Sequence, residues 1–147
     1  MDEVKRLIKG KALVHVAPVA TVAEAAAMMS QERIGAVLIL DAGRLCGIFT
    51  ERDLLNRVVA PGLNPQVTSI SDVMTSKVAV ARADESYGDC MEKMKKVGCR
   101  HLPVVDNDRL LGIISIRDLL MHDISVKNDE IRMMNYLYYY TPPDMEH

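Results

Sequence analysis

The sequence predicts an α+β protein with layered helices and sheets, made of two copies of one strand–helix–strand–strand–helix unit and a C-terminal helix. Two observations lead to this prediction. The segment GIFTERD at residues 47–53 returns as GIISIRD at residues 112–118, an offset of 65 residues. Other residues match at the same offset, including Met29 with Met94, which indicates a tandem repeat. A unit of about 50 residues buries too little surface to be stable alone, so we expect the copies to pack with pseudo-two-fold symmetry.

Composition excludes several classes of protein. Of 147 residues, 49% are hydrophobic and 26% are charged, which is typical of a soluble globular protein. The formal net charge of −2 and the aromatic content of 4% argue against a nucleic-acid partner. No apolar run approaches the ~20 residues that span a bilayer, so no membrane partner is expected. The three cysteines, Cys46, Cys90 and Cys99, lack metal-site or disulfide spacing, and we expect a reducing, cytoplasmic setting.

The first unit contains three predicted strands and two predicted helices. The strands are residues 13–16, 36–40 and 45–49, the second being an apolar run typical of a fully buried strand. Thr21 with Glu24 forms a capping-box pattern, so a helix begins there and runs to about Arg33. Thr50 opens the second helix, which ends before Pro61.

The second unit repeats this order. Its predicted strands are residues 78–80, 102–105 and 110–114. Ser86 is the predicted N-cap of a helix whose apolar stripe is Tyr87, Met91, Met94 and Val97. Ser115 opens the last helix of the unit. Residues 126–139 predict an additional amphipathic helix, which residues 140–143 terminate.

These elements divide the chain into five segments. Residues 61–65 carry two prolines and a glycine, which marks a linker, and residues 70–74 predict a helical turn after it. The predicted segments are an N-terminal lead-in (1–12), the first repeat (13–60), the linker (61–72), the second repeat (73–123), and a C-terminal helix and tail (124–147).

Each repeated segment is a strand-to-helix corner with the chemistry of a ligand site. The residues concerned are Gly47, Thr50, Arg52 and Asp53 in the first corner and Gly112, Ser115, Arg117 and Asp118 in the second. A glycine permits close approach of a ligand to the backbone, and a helix N-terminus attracts anions such as phosphate. A carboxylate can accept both hydroxyls of a ribose, and an arginine can pair with phosphate.

A second interpretation of the corners needs no ligand. Thr50 with Asp53, and Ser115 with Asp118, also fit a variant of the helix N-terminal capping box. Each corner taken alone favours the cap, and duplication copies caps as faithfully as it copies sites.

The order of elements, the pairing and the repeated corner resemble the cystathionine-β-synthase (CBS) domain family. Residues 99–106, CRHLPVVD, are similar to the characteristic second-strand segment of that family. The resemblance covers about residues 13–123. It implies a paired (Bateman) module that binds adenosine ligands in the cleft between repeats, forms homodimers packed as a flat disc, and regulates a protein partner that the sequence does not identify.

The resemblance also implies roles for particular residues. Asp53 and Asp118 would hold ribose, and Thr50 and Ser115 would contact ribose or phosphate. Arg100 and His101 would reach phosphate, in addition to Arg52 and Arg117 of the corners. The adenine would be framed by Val14, Val16, Val78 and Val80 with Pro103, and the corners would add Ile48 and Ile113.

We expect the second corner to be the stronger site. Arg100 and His101 precede its strand, whereas the first repeat has Gly35 and Ala36 at the matching positions. The expected ligand is an adenosine nucleotide, AMP or ATP first, with NAD and S-adenosylmethionine as further candidates, acting as a regulator and not as a catalytic cofactor. The alternatives are an assembly or dimerisation module and, less favoured, an enzyme acting on an adenine nucleotide.

Overall fold

The structure, a computed structural model, describes residues 4–8 and 10–139. A short helix, α1 (Lys5–Ile8), precedes the first repeat. The first repeat consists of β1 (His15–Val16), α2 (Val22–Glu32), β2 (Ala36–Asp41), β3 (Arg44–Thr50) and α3 (Glu51–Asp53), which continues as a π-helix (Leu54–Val59). The segment between the two repeats contains α4 (Ile70–Val73). The second repeat consists of β4 (Ala81–Arg82), α5 (Tyr87–Val97), β5 (His101–Asp106), β6 (Arg109–Ser115) and α6 (Ile116–Tyr139).

The two sheets have the same topology, as the tandem repeat predicts. In each sheet the middle strand pairs in parallel with the first strand and antiparallel with the third. The ladder register shifts between Ile39 and Leu40 in the first sheet and between Val104 and Val105 in the second. Because these pairs are 65 residues apart, even the irregularity of the ladder is repeated.

Local sequence signals account for the ends of α2. The Thr21 hydroxyl accepts the Glu24 N–H at 3.1 Å, and the Glu24 carboxylate accepts the Thr21 N–H at 3.2 Å. Arg33 ends the helix in a left-handed conformation with φ of 55°. These contacts satisfy backbone groups that a helix end leaves without partners, and they confirm the predicted capping box.

Each of the short helices α1 and α4 packs in the core of the repeat that it does not directly precede. α1 precedes the first repeat, but its Ile8 and the adjoining Val4 are buried in the core of the second repeat. α4 precedes the second repeat but buries Ile70 and Val73 in the core of the first repeat. Each core therefore includes apolar residues from a helix that directly precedes the other repeat. Burial of this apolar surface joins the two repeats, in addition to the linker.

The sheets of the two repeats also contact each other directly. This interface contains Ala36, Leu38, Ile48 and Leu45 from the first sheet, and Val78, Leu110 and Ile113 from the second repeat. Leu45 corresponds to Leu110, and Ile48 to Ile113, at the 65-residue offset. Equivalent residues thus meet across the pseudo-two-fold axis. Ile113, a predicted ligand contact, lies in this interface.

The corner glycines have a different role from the one predicted. A Cβ atom on Gly47 would overlap the Met74 side chain and lie 3.1 Å from the Thr75 carbonyl oxygen. A Cβ atom on Gly112 would lie 3.3 Å from the Cβ atom of Ile8. The space beside each glycine is occupied by the crossing lead-in segment. Because glycine has no side chain, these segments can pack closely against the strands. The expectation that a ligand approaches the backbone at these glycines is therefore wrong.

We predict that Gly47→Ala destabilises the protein by about 1–3 kcal/mol, because the added methyl group overpacks the contact with Met74 and Thr75. Gly88→Ala is the matched control. Gly88 lies within α5, and the nearest atom to a Cβ there would be the Ser86 hydroxyl oxygen, at 4.0 Å. There the change should stabilise by up to about 1 kcal/mol. Urea unfolding of both variants measures the difference. Equal stabilities would contradict the packing described at Gly47.

The predicted strand at residues 78–80 is wrong, and β4 instead begins at Ala81. In the first repeat Leu38 donates its N–H to the Val14 carbonyl at 3.4 Å, which helps to align β1 with β2. The residue equivalent to Leu38 is Pro103, which has no N–H to donate. Pairing therefore begins one position later, at Ala81 with Val104, and residues 78–80 form no strand.

Two predictions for the helices also need correction. The additional helix at residues 126–139 is not separate, because α6 runs without interruption from Ile116 to Tyr139. Val97, predicted to belong to the buried stripe of α5, is exposed, while Cys90 and Met94 supply the buried face. The predicted terminating segment at residues 140–143 lies outside the described residues.

Candidate functional site

Both repeated corners form reciprocal helix caps. The Asp53 Oδ2 atom accepts the Thr50 N–H at 3.0 Å, and the Thr50 hydroxyl accepts the Asp53 N–H at 3.2 Å. The same pair of bonds joins Ser115 and Asp118, at 2.9 and 3.1 Å. The capping interpretation is therefore correct for both corners. It does not exclude a ligand, since each cap uses only one of the two carboxylate oxygens.

A cavity of about 340 Å³ opens beside the first corner and between the two repeats. The first repeat contributes Ile48, Thr50, Glu51, Arg52, Asp53 and Arg57 to its wall. The segment after α4 contributes Thr75, Lys77, Val78 and Ala79, and the second repeat contributes Val97, Gly98, Cys99, Arg100 and His101. The volume lies within the range of small-molecule sites, and the wall combines a few apolar side chains with a cluster of charges.

The cavity gathers seven of the fifteen predicted site residues: Ile48, Thr50, Arg52, Asp53, Val78, Arg100 and His101. The other eight lie elsewhere. Val14 and Val16 pack in the first core, Pro103 is buried in β5, Ile113 lies between the sheets, and Val80 accepts a hydrogen bond from Lys93. Ser115 and Asp118 form the second corner, where Arg117 is exposed.

The structure brings His101 against the first repeat. A Cβ atom on Gly35 would lie 3.4 Å from Nε2 of His101 and 3.3 Å from Oε1 of Glu51, so these three residues are neighbours. Arg100 also lines the cavity, as does Asp53. His101 also pairs with Ser115 across β5 and β6, and the Arg100 carbonyl accepts the Ile116 N–H at 2.8 Å. Both residues therefore lie next to the Asp118 corner and also reach the cavity at the Asp53 corner.

His101 has the character of a neutral hydrogen-bonding group. Burial lowers the pKa of His101 below its ordinary value; Glu51 and Asp118 act against this, and Arg100 adds to it. Because the net shift is downward, the imidazole is mostly uncharged at neutral pH. His101 can therefore donate or accept a hydrogen bond in the cavity, whereas the positive charge there comes from other residues.

Several cavity residues were not predicted from the sequence. Arg57 donates Nη1–H to the Val73 carbonyl at 3.0 Å, and its Nε lies 3.7 Å from Asp53 Oδ1. Its i,i+4 spacing from Asp53 on a helix was a signal that could have identified it. Lys77 carries no comparable signal, since it enters the cavity only because α4 packs on the first repeat. Arg57 lies in the π-helix, a feature common at functional sites.

The charge of the cavity favours an anion. Its wall contains the cations Arg52, Arg57, Lys77 and Arg100 and the carboxylates Glu51 and Asp53. The excess of cations would attract a phosphate. One Asp53 oxygen remains outside the cap for a hydroxyl pair, and the apolar side chains can contact a flat ring. A ligand with a ring, a diol and a phosphate would match these three features.

The second corner is arranged differently. The Lys11 ammonium lies 3.0 Å from Oδ1 of Asp118. Burial acts to raise the pKa of Asp118, but the hydrogen bonds from Ser115 and the contact with Lys11 outweigh it, so the pKa lies below its ordinary value. Asp118 is therefore ionised at neutral pH, and both of its oxygens have partners within the chain.

Neither a membrane-spanning helix nor a metal-binding cluster of side chains occurs in the described parts of the chain. Among residues 4–8 and 10–139, none of the helices combines the length and hydrophobicity needed to cross a bilayer. Within the same residues, no group of three or more His, Cys, Asp or Glu side chains is placed to hold a metal ion.

Comparison with known proteins agrees with the repeated fold. The CBS domain family matches residues 4–60 and again residues 70–125. The CBS domain-containing protein YhcV of Bacillus subtilis (strain 168) is 34% identical over 110 residues, which are 75% of this chain and 78% of that protein. The chain spans only 22–23% of the length of five CBS domain-containing relatives from Arabidopsis thaliana.

Solved structures show the same architecture. The CBS-domain containing protein ATU1752 from Agrobacterium tumefaciens superposes with a TM-score of 0.77 and 40% identity, covering 82% of this chain and 98% of that one. The CBS domain protein PAE2072 from Pyrobaculum aerophilum, solved in complex with AMP, superposes with a TM-score of 0.73 and 28% identity, covering 79% and 88%. With both repeats matched by the family and the fold shared with its solved members, the chain belongs to the CBS domain family.

Proposed function

We propose that the chain is a regulatory module that binds an adenosine nucleotide in the cavity between its repeats and signals occupancy to a protein partner. The observation that carries the proposal is the wall of the cavity, where Asp53 and Arg100 come from different repeats. The AMP complex of PAE2072 supports the choice of ligand class. The role proposed is binding and not catalysis.

The position of the cavity suggests how binding is transmitted. The carboxylate of Asp53 would hold the ribose, while Arg100 and Lys77, which belong to the second repeat, would attract the phosphate. A ligand held by both repeats favours one relative tilt of the repeats over others. A partner that binds the favoured tilt more tightly would detect the nucleotide.

Isothermal titration calorimetry with AMP, ADP, ATP, NAD and S-adenosylmethionine tests this proposal. We expect binding of at least one of them, with AMP or ATP the strongest. If none binds at millimolar concentration, the proposal is wrong.

A second candidate function, assembly, is favoured by a repeated apolar surface. Leu55 and Val59 are 58% and 61% exposed, and their counterparts at the 65-residue offset, Leu120 and Ile124, are 44% and 53% exposed. We call these four residues the repeated apolar face. The pseudo-two-fold axis relates the two halves of this face, so a second copy of the chain could cover both halves at once. The distal half of α6 adds exposed apolar residues, including Ile131 and Met134.

The Leu55→Glu/Val59→Glu double variant should convert a homodimer into a monomer. The two glutamates would place unpaired carboxylates in the buried interface, and burial of a charge without a partner is strongly unfavourable. Light scattering after gel filtration should give twice the 16.4 kDa chain mass for the unmodified protein and one chain mass for the variant. Val67→Glu is the control, since Val67 is also exposed but lies outside the face. A dimer that survives the double substitution would exclude this face as the interface.

A further inference from the structure

The carboxylates of Asp53 and Asp118 differ in the cation that contacts the oxygen outside the helix cap. Oδ1 of Asp118 lies 3.0 Å from the Lys11 ammonium, whereas Oδ1 of Asp53 lies 3.7 Å from the Arg57 guanidinium. Lys11 belongs to the segment between α1 and β1, and at the 65-residue offset its counterpart is Ser76. The position that corresponds to Lys11 is therefore uncharged in the first repeat, where the contact with Oδ1 of Asp53 comes from Arg57 instead.

The Lys11 ammonium contacts the Asp118 oxygen that a ribose would need to reach. The Ser115 N–H holds Oδ2 of Asp118 at 2.9 Å, so Oδ1 is the oxygen outside the cap. A ribose diol that binds Asp118 through Oδ1 must displace the ammonium. The same displacement is not needed at Asp53, where the contact with Arg57 is longer and the adjoining cavity is open.

The fold keeps Lys11 close to Asp118. α1 is anchored in the second core by Val4 and Ile8, and the Val4 N–H donates to the Glu85 carbonyl at 3.0 Å. A group tethered within a few residues of its anchor has a high effective concentration at its contact. Lys11 is thus a competitor within the chain, present whenever α1 is docked.

We propose that Lys11 competes with the nucleotide for Asp118, so that the nucleotide binds first at the Asp53 corner. The inference rests on the proposed function, because the ligand with which Lys11 competes is the nucleotide. The Lys11 and Asp118 side chains are 48% and 28% exposed, and pairs of this kind shift an equilibrium by up to about fivefold. Occupation of the second corner at higher ligand concentration would therefore require release of Lys11.

The test measures the second corner in isolation, with the first disabled by Asp53→Ala. Adenosine is the probe, because it carries the ribose diol but no phosphate whose attraction to Lys11 would confuse the result. In the Asp53→Ala background, Lys11→Met should tighten adenosine binding by up to about fivefold. Lys11→Arg is the matched control, since it keeps the positive charge and should change the affinity little. NMR titration followed at residues of the second corner gives the affinities.

Three outcomes would overturn the inference: equal adenosine affinity in the Lys11→Met and Lys11→Arg proteins, weaker binding in Lys11→Met, or no binding at the second corner in either. The first would mean that Lys11 does not compete, and the second that it assists the ligand. None of these outcomes bears on AMP binding to the unmodified chain, which tests the proposed function separately. Because Lys11 is half exposed, loss of folding in Lys11→Met is not expected.

Discussion

Asp53→Ala should lower the affinity for AMP at least tenfold, whereas Asp118→Ala should change it by less than about twofold. Asp53 lies in the wall of the cavity and would accept the ribose hydroxyls. Hydrogen bonds to a charged acceptor contribute about 1.5–3 kcal/mol, which corresponds to at least a tenfold change in affinity. Calorimetric titration of the two variants with AMP measures the effect.

The two variants control for each other. Both aspartates cap a helix through the same pair of bonds, at 3.0 and 3.2 Å for Asp53 and at 2.9 and 3.1 Å for Asp118. Loss of a cap should therefore reduce stability by about 1 kcal/mol in each. Similar stability with different affinity would separate the binding role of Asp53 from its capping role. Equal losses of affinity would contradict this expectation, and a larger loss in Asp118→Ala would match the sequence prediction that the second corner is the stronger site.

Arg100→Ala should weaken AMP binding by about tenfold and leave adenosine binding nearly unchanged, because its guanidinium would contact only the phosphate. Arg100 lines the cavity, and no other arginine of the second repeat does so. Titration of the same variant with AMP and with adenosine measures how much of the affinity depends on the phosphate.

Arg117→Ala is the control for this prediction. Arg117 is exposed beside Asp118 and lies outside the cavity wall, although the sequence predicted that both arginines would reach phosphate. Its removal alters the net charge of the protein by the same amount as removal of Arg100. If the two variants lose AMP affinity equally, the effect is one of overall charge and not of a contact in the cavity.

The repeat and its local structure could be predicted because their causes are local. The caps at Thr21, Thr50 and Ser115 depend on residues three positions apart, which the sequence displays directly. The 65-residue offset then transferred each assignment from one copy to the other. The offset failed where one residue breaks the symmetry: Pro103 cannot donate the hydrogen bond that Leu38 donates, so β4 starts later than predicted.

The composition of the site could not be predicted because it depends on contacts between distant segments. Crossing of α1 and α4 places Lys11 at the second corner and Lys77 beside the first. Nothing near either lysine in the sequence indicates this exchange. Arg100 and His101 follow α5 in the chain, yet they complete a cavity whose carboxylate belongs to the first repeat. In a pseudo-symmetric pair, closeness in sequence does not tell which of two equivalent sites a side chain serves.

A crystal structure of the protein grown with AMP tests the central claim most directly. We expect the adenosine in the cavity between the repeats, with the ribose hydroxyls on the Asp53 carboxylate and the phosphate near Arg100, while Lys11 remains in contact with Asp118. AMP bound at the Asp118 corner with the cavity empty would contradict it.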